Sequence, residues 1–175
     1  MPSLNRDILN EICEKLIIDG NQNAIFNFAF SGKESLEAIK WKFSTITHLE
    51  LYNDCYKIGW DKPSTTFYLN SAEIYTEKLM KFIGGKVRSL HLDTCILVYF
   101  PILDNILQTR KLETISIGKH CHLDDAYELI SHCSKSAKHL KILRFLRMKK
   151  FKKRLKLDLL TITENACPNF FFFSY

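Results

Sequence analysis

The stretch that decides the fold is Val-Arg-Ser-Leu-His-Leu-Asp-Thr-Cys at residues 87–95. Leu90 and Leu92 alternate with polar neighbours, which predicts a short strand with one buried face. The same spacing of apolar residues returns in Leu-Glu-Thr-Ile-Ser-Ile at residues 112–117. Recurrence of one strand pattern indicates similar units that stack side by side.

Three further stretches carry this pattern, which matches the leucine-rich-repeat template. They begin at Ile46, at Leu140 (a weaker match through residue 145) and at Leu157. The units that begin at 87, 112 and 140 lie 25 and 28 residues apart, and such repeats have roughly 20 to 29 residues. The longer step from 46 to 87 predicts an irregular repeat around residues 67–69.

Amphipathic helices are expected between these strands. Asn70 and Glu73 form a capping-box start for a helix that Gly84 would end. Pro101 sits where the first turn of a helix tolerates proline, and Asp124 favours another helix start. Strands that alternate with helices predict a parallel layer of strands. The fold class predicted for this region is therefore an α/β repeat.

Stacking of parallel units makes a specific prediction about side chains. We expect Leu90 and Leu92 of one unit to lie against Ile115 and Ile117 of the next. Cys95 ends its strand, where its side chain can bond backbone groups at the bend. This position predicts a structural cysteine.

Residues 2–43 form an N-terminal unit of different character, with three predicted helices. Apolar residues at three- and four-residue steps predict the first helix, which Gly20 ends. An apolar burst at residues 24–30 predicts the second helix, and Leu36, Ile39 and Phe43 give the spacing of the third. Three short helices bury little apolar surface alone, so this head is expected to lean on a neighbour or a partner.

The head resembles a divergent F-box. The matching features are Leu4, the core Asp7-Ile8-Leu9-Asn10-Glu11-Ile12, Leu16 and the turn Ser31-Gly32-Lys33 before the third helix. Asn5 stands where the family usually has proline, and Trp41 is the candidate for the aromatic end of the motif. An F-box followed by leucine-rich repeats is similar to the substrate adaptors whose families are expanded in invertebrates.

The resemblance implies a head that binds the Skp adaptor of a cullin-type ubiquitin ligase, and repeats that bind an unknown target protein. Such a chain catalyses nothing itself; it raises the local concentration of the target beside a ubiquitin-loaded enzyme. The alternative is a protein-interaction scaffold whose head only caps the array, because both roles need an apolar stripe. By the family pattern, the adaptor-binding positions would be Leu4, Ile8, Leu9, Ile12 and Leu16.

The repeats would recognise a target through exposed strand residues, whose identity does not name the ligand. The candidates are His91, Asp93, Glu113, Ser116 and Lys119. On this interpretation the chain divides into a head at 2–43, a repeat region at 44–167 and an apolar tail at 168–175. The four consecutive phenylalanines of the tail would fold back over the last strand or remain exposed.

The positive charge is concentrated in one segment. The net charge is +6, yet residues 144–156 hold eight of the 25 basic residues and no acidic one. Apolar residues interleave with the basic ones, so a solvated helix face is one interpretation. A nuclear localisation signal and a phosphate-binding patch are the others. Nucleic acid is not the partner we expect, but the basic segment keeps it as a third possibility.

Neither catalysis nor a cofactor is expected. Gly84-Gly85-Lys86 lacks the earlier glycine of a phosphate loop, since Met80 stands there, and the chain has no GxSxG or HExxH. His120 and Cys121 begin a cluster that continues with His122, His132 and Cys133. Its spacing is not that of zinc ligands, so buried thiols beside exposed histidines are the preferred interpretation. We therefore predict no catalytic, cofactor or metal residues.

Composition and cysteine usage indicate an intracellular globular protein. With 46% hydrophobic and 25% charged residues the chain is not expected to be disordered or a coiled coil. It shows neither a secretory signal nor 18 uncharged apolar residues in a row, so no membrane association is expected. Six single cysteines without export favour reduced thiols. The predicted location is cytoplasmic, nuclear or both.

Overall fold

A computed structural model describes residues 5–69, 79–94, 99–109, 111–121, 129–130, 137–142 and 159–162. Over these residues the chain is mixed α/β, with helices first and a mostly parallel sheet after them. Its helices are α1 (Arg6–Asp19), α2 (Gln22–Phe30), α3 (Lys33–Ser44) and α4 (Phe100–Thr109). Its strands are β1 (His48–Tyr52), β2 (Cys55–Gly59), β3 (Pro63–Tyr68), β4 (Ser89–Asp93), β5 (Thr114–Ile117), β6 (His139–Ile142) and β7 (Leu159–Ile162).

The three predicted helices of the head are present, and local capping explains where they begin and end. Asn5, in the position of the family's proline, accepts a hydrogen bond from the Asp7 N–H over 3.1 Å and caps α1. Gly20 ends α1 in the left-handed region at φ +69°, where glycine is not strained. The side chain of Asn21 then caps α2 through the Ala24 N–H at 3.1 Å.

The sheet has the strand order β3-β2-β1-β4-β5-β6-β7 in the described residues. β1, β2 and β3 pair antiparallel, whereas β1, β4, β5, β6 and β7 pair parallel to one another. The predicted stacking is confirmed, because Leu90 pairs with Ile115 and Leu92 with Ile117. The five parallel strands thereby carry two aliphatic rows across the sheet: Leu49, Leu90, Ile115, Leu140 and Leu160, and Leu51, Leu92, Ile117, Ile142 and Ile162.

The start predicted for the unit at Leu140 is wrong: the unit begins three residues earlier, at Ala137. Leu140 pairs with Ile115 and Leu160, so it takes the fourth position of the pattern and not the first. The first position belongs to Ala137, whose side chain is buried. The units then begin at 87, 112 and 137, each 25 residues after the last. The pattern of large aliphatic residues does not mark this frame, because alanine fills its first position.

The irregular repeat predicted around residues 67–69 is also wrong. Phe67 lies in β3, which pairs antiparallel with β2 at one edge of the sheet. The short connections require antiparallel pairing. Two residues, Asn53 and Asp54, separate β1 from β2, and residues 60–62 separate β2 from β3. A parallel connection needs about a dozen residues or more, so only hairpins fit here.

The head and the hairpin strands share one hydrophobic core. Phe43 of α3 meets Phe67 of β3 edge-on at 6.0 Å between ring centroids, and Tyr56 stacks on Phe67 at 5.2 Å. The indole N–H of Trp60 donates to Thr45 Oγ1 over 2.9 Å. These contacts confirm that the head leans on a neighbour, which is the antiparallel part of the sheet.

Helix α4 covers the parallel strands from the same side as the head. Ile102 and Ile106 are buried in the same core as Leu90, Ile115 and Leu140, and Pro101 lies in the first turn as predicted. The Tyr99 hydroxyl donates to the carbonyls of Tyr52 and Cys55, each at 2.9 Å. In the part of the chain that is described, helices lie on one face of the sheet, and the other face is open.

Several predicted features lie outside the described residues: the capping box at Asn70 and Glu73, the helix start at Asp124, the end of the strand at Cys95, the basic segment 144–156 and the tail 168–175. Gly84, the predicted end of the first of these helices, has φ +131°, and Leu79 and Met80 before it are helical and buried. Within the described ranges, no helix combines the length and the apolar character needed to cross a bilayer.

Candidate functional site

The apolar residues of α1 form two adjacent stripes with different exposure. Leu9, Cys13 and Ile17, spaced by four residues, are buried against the core. Ile8, Ile12 and Leu16 form the next stripe, in which Ile8 is 49% exposed and the other two are half-buried. The five predicted adaptor-binding residues therefore divide: Leu9 belongs to the core, three form the second stripe, which we call the outer stripe, and Leu4 lies outside the described residues.

A groove of about 890 Å³ lies on the flank of α1 that faces α3. Leu9 and Ala38 contribute its apolar lining, and Trp41, 45% exposed, stands at its side. Lys40 and Glu37, which pair at 2.8 Å, supply opposite charges beside it. The head thus presents two apolar features to solvent, the outer stripe and the Trp41 groove.

The open face of the sheet carries one polar row that crosses all seven described strands. The pairings of the strands place one residue of each strand in it. From β3 to β7 the row reads Thr66, Lys57, Glu50, His91, Ser116, Lys141 and Thr161. We call this surface the polar row.

Direct contacts connect the centre of the polar row. The Tyr52 hydroxyl donates to Glu50 Oε2 over 2.8 Å, and Lys57 Nζ lies 3.9 Å from that oxygen. Lys57 Nζ also lies 5.1 Å from the centroid of the Tyr52 ring, a cation–π distance. His91 is 5.4 Å from the Tyr52 ring between centroids, and its Nδ1 lies 2.9 Å from Ser116 Oγ. The middle of the face is therefore an ordered polar network.

Asp93 joins the end of β4 to the loop after β5. Its Oδ1 accepts a hydrogen bond from the His120 N–H at 2.6 Å, and His120 Nδ1 lies 3.2 Å from the same oxygen. Gly118 makes room for this carboxylate, because a Cβ at position 118 would overlap the Asp93 side chain. The absence of a side chain at Gly118 therefore leaves the space that the Asp93 carboxylate occupies.

The environment of the network shifts three pKa values. Burial lowers the pKa of His91 against the pull of nearby Glu50 and Asp93, and Lys141 and Lys57 lower it further. Burial opposes ionisation of Asp93, but the hydrogen bonds from His120 outweigh it and lower the pKa of that carboxyl. Burial, and then the hydrogen bond to Glu50, raise the pKa of Tyr52. Near neutral pH the network thus combines a neutral His91 imidazole with an ionised Asp93 carboxylate.

Sequence reasoning found part of this face. His91 and Ser116 lie in the polar row and Asp93 at the end of β4, whereas Glu113 and Lys119 flank β5 at its two ends. The reasoning missed Glu50, Lys57 and Thr66, which the hairpin strands contribute. The alternation in His48–Tyr52 already marked Glu50 as outward-facing.

Cys13, Cys55 and Cys121 are buried cysteines. Burial raises the pKa of Cys13 and that of Cys55 to about 11, so both are protonated at neutral pH and poor nucleophiles.

Across the described residues, no group of three or more His, Cys, Asp or Glu side chains could hold a metal ion. His122, His132 and Cys133 of the sequence cluster lie outside them. The arrangement on the sheet face offers fixed charges and hydrogen-bonding groups, the chemistry of recognition.

No family model, no curated protein and no solved structure matches the chain. Over the described residues, the architecture is a three-helix head packed on a mostly parallel sheet, with polar side chains on the face of the sheet opposite the helices.

Proposed function

We propose that the chain is a substrate-recruiting adaptor of a Skp–cullin–F-box ubiquitin ligase. In this proposal the outer stripe of the head binds the Skp adaptor, and the open face of a leucine-rich-repeat array binds the target protein. The chain itself catalyses nothing; it holds the target beside the ubiquitin-loaded enzyme and so raises its effective concentration.

The observation that carries the proposal is the outer stripe on α1, a helix whose other apolar stripe already serves the core. Ile8 is the exposed member of the outer stripe, Ile12 is half-buried, and Leu16 packs partly against the core. Ile8 is 49% exposed although Leu9 beside it is buried. A single exposed isoleucine needs no explanation, but Ile8, Ile12 and Leu16 align at four-residue spacing. Such a stripe is what a helix offers to a groove on a partner.

The sheet supports the second half of the proposal. Parallel strands with aliphatic rows on one face and polar residues on the other are typical of leucine-rich repeats. The two equal steps of 25 residues from 87 to 112 and from 112 to 137 favour a true repeat. Because head and hairpin share one core, a target on the polar row and an adaptor on the outer stripe would be held at a fixed distance.

The second candidate function is an interaction scaffold whose head only caps the array. The contact of Phe43 with Phe67 favours it, because α3 covers the apolar face of the hairpin, and this role needs no adaptor. The two candidates differ in what the outer stripe does: it binds an adaptor in the first and nothing in the second.

The test is co-expression with the Skp adaptor followed by affinity capture. The informative variant is Ile8→Asp with Ile12→Asp, because Leu9→Asp would place a charge in the core and unfold the head. The matched control is Ile18→Asp, which changes an isoleucine of the same helix that is 55% exposed and lies outside the outer stripe. We expect the double variant to lose capture by tenfold or more, of the order of a hot-spot loss of about 2 kcal/mol, and Ile18→Asp to keep it.

Circular dichroism and thermal melting of both variants establish that they are folded. A folded double variant that is still captured would remove the outer stripe from the proposal. A folded wild-type chain that does not capture the adaptor would leave the scaffold as the better function.

A further inference from the structure

One imidazole lies at the centre of the polar row, among charged groups of both signs. His91 is half-buried, and within the described residues the titratable groups that face it come from its own strand and from three others. These groups are Tyr52 and Glu50 of β1, Lys57 of β2, Asp93 of β4 and Lys141 of β6. Burial holds the pKa of His91 below its ordinary value against the pull of the two carboxylates, so the ring is neutral near pH 7. A proton taken up at lower pH would place a new cation close to both carboxylates.

The Asp93 carboxylate cannot turn to that cation without losing contacts that it already makes. Its Oδ1 accepts a hydrogen bond from the His120 N–H at 2.6 Å and lies 3.2 Å from His120 Nδ1. The carboxylate also fills the space that Gly118 leaves open. Asp93 lies two residues after His91 on the same strand, which separates their Cα atoms by about 6.6 Å. Asp93 is therefore the fixed carboxylate of the two.

The Glu50 carboxylate is held less firmly and starts from a closer position. Glu50 and His91 are paired directly across β1 and β4, and neighbouring strands are about 4.8 Å apart. Glu50 accepts a hydrogen bond from the neutral phenol of Tyr52 at 2.8 Å, whereas Lys57 Nζ, 3.9 Å from the same oxygen, is beyond hydrogen-bond distance. An imidazolium adds a Coulomb attraction that a phenol cannot supply. A protonated His91 would therefore compete with Tyr52 for Glu50.

Ser116 determines which nitrogen of the ring is left for a carboxylate. His91 Nδ1 lies 2.9 Å from Ser116 Oγ. Both nitrogens of an imidazolium donate, and a serine hydroxyl can accept, so Nδ1 keeps Ser116 as its partner when the ring is protonated. Nε2 is then the donor that needs an acceptor.

We propose that His91 and Glu50 form a pH-sensitive switch on the open face of the sheet. At neutral pH Glu50 accepts from Tyr52; once His91 takes a proton from solvent, the Glu50 carboxylate turns to His91 Nε2 and releases the Tyr52 hydroxyl. That hydroxyl keeps its own proton and donates to water instead. The switch thus changes which polar groups the face offers to a partner. It is built from the sheet alone and does not rest on adaptor binding by the head.

The first test compares proton binding by His91 in the wild-type chain and in two variants of its neighbours, by NMR titration of the imidazole. Glu50→Gln should weaken proton binding by about three- to tenfold, the effect of removing one carboxylate close to a partly exposed group. Tyr52→Phe should strengthen it by about two- to tenfold, the range of a net hydrogen-bond free energy, because Glu50 loses the donor that competes with His91.

The matched control is Glu113→Gln, which makes the same charge change at an exposed carboxylate before β5. The Glu113 N–H donates to the carbonyl of Arg88, which precedes His91 by three residues, or about 10 Å along the strand. Salt screens charges at such distances, so the control should change proton binding by His91 by less than about twofold. Equal effects of Glu50→Gln and Glu113→Gln would show that His91 responds to net charge alone and would overturn the switch.

The second test is the crystal structure of the wild-type chain at neutral pH and at a pH below the measured midpoint of His91. In the acidic structure a Glu50 carboxylate oxygen should lie at hydrogen-bond distance from His91 Nε2, and the Tyr52 hydroxyl should have left Glu50. A bond between Tyr52 and Glu50 that persists below the midpoint would overturn the switch. Wild-type proton binding by His91 in Tyr52→Phe, shown to be folded by circular dichroism, would overturn it too, because a fixed carboxylate acts on His91 whether or not Tyr52 donates to it.

Discussion

Single residues decide how rigid the sheet face is. Strand pairing places His91 at the centre of the polar row, where its Nδ1 lies 2.9 Å from Ser116 Oγ and its ring 5.4 Å from the Tyr52 ring. Gly118 is required for the Asp93 carboxylate to reach the His120 N–H. These residues preform the face before any partner arrives, and each is open to a direct measurement.

Acidification should destabilise the protein through His91. Burial lowers the pKa of this imidazole in the folded state below the ordinary 6.5, so the unfolded chain binds the proton more readily. Stability should therefore fall as the pH drops below about 6.5, and the fall should end once the folded-state pKa is passed. Asp93, whose pKa is lowered from 3.8, acts in a separate window at more acidic pH.

Urea unfolding of the wild type and of His91→Gln at pH 7 and pH 5.5 measures the effect. His91→Gln should lose less stability between the two pH values. An NMR titration should give His91 a pKa below 6.5, and a value above 6.5 would contradict the prediction.

Two adjacent glycines should respond differently to alanine. Gly84 has φ +131°, and a Cβ there would lie 2.8 Å from Asn105 Nδ2, which donates to the Ile83 carbonyl. Gly84→Ala should therefore lower the free energy of unfolding by about 1–3 kcal/mol. Gly85→Ala, whose Cβ would meet nothing within 4 Å, should change it by less than about 0.5 kcal/mol. Urea denaturation measures the free energy of unfolding of both variants. Equal losses would contradict the explanation from the backbone angle and the Asn105 contact at Gly84.

At the scale of elements, the hairpin β2–β3 is the part that joins head and sheet. It extends the sheet beyond β1, adds Lys57 and Thr66 to the polar row and receives α3 on its other face. The first residue of α2 also reaches it, since the Gln22 side chain donates to the Tyr68 carbonyl over 3.2 Å. This contact covers part of an edge strand that would otherwise be open to pairing.

Alanine substitutions at two neighbouring residues of β3 should measure how strongly the hairpin joins the head to the sheet. Phe67 is fully buried between Phe43 and Tyr56, so Phe67→Ala should lower the free energy of unfolding by about 3–5 kcal/mol. Tyr68, 54% exposed, is the control, and Tyr68→Ala should cost less than about 1 kcal/mol. Chemical denaturation measures both. A small effect of Phe67→Ala would mean that head and hairpin are not energetically joined.

At the scale of the whole molecule, one core extends from α1 to the parallel strands and includes Ile17, Phe43, Leu49, Leu90 and Ile115. A continuous core predicts that head and sheet unfold together. The two tryptophans report on the junction, since Trp41 lies on α3 and Trp60 between β2 and β3.

Tryptophan fluorescence and far-ultraviolet circular dichroism should therefore give the same urea midpoint. Separate midpoints, with fluorescence changing first, would show that the head unfolds independently of the parallel strands. The chain used should be full-length, because the isolated head would lose the hairpin on which it packs.

Much of the parallel region could be predicted because its information is local. Alternation of Leu90 and Leu92 fixes which side chains face inward, and the same spacing at Ile115 and Ile117 fixes their partners. The frame around Ala137 and the hairpin at Phe67 were missed. Alanine carries little hydrophobic signal, and a strand sequence does not state whether its partner runs parallel or antiparallel.

The sequence by itself determined the three helices of the head, the inward and outward residues of the strands and the position of the positive charge. These features depend on periodicity, capping residues and composition, which act over a few residues. Only the tertiary structure decided which stripe of α1 enters the core, and that Glu50, His91, Ser116 and Lys141 share one row. Both depend on contacts between segments far apart in the chain, where packing selects one of several faces or pairings that local sequence allows.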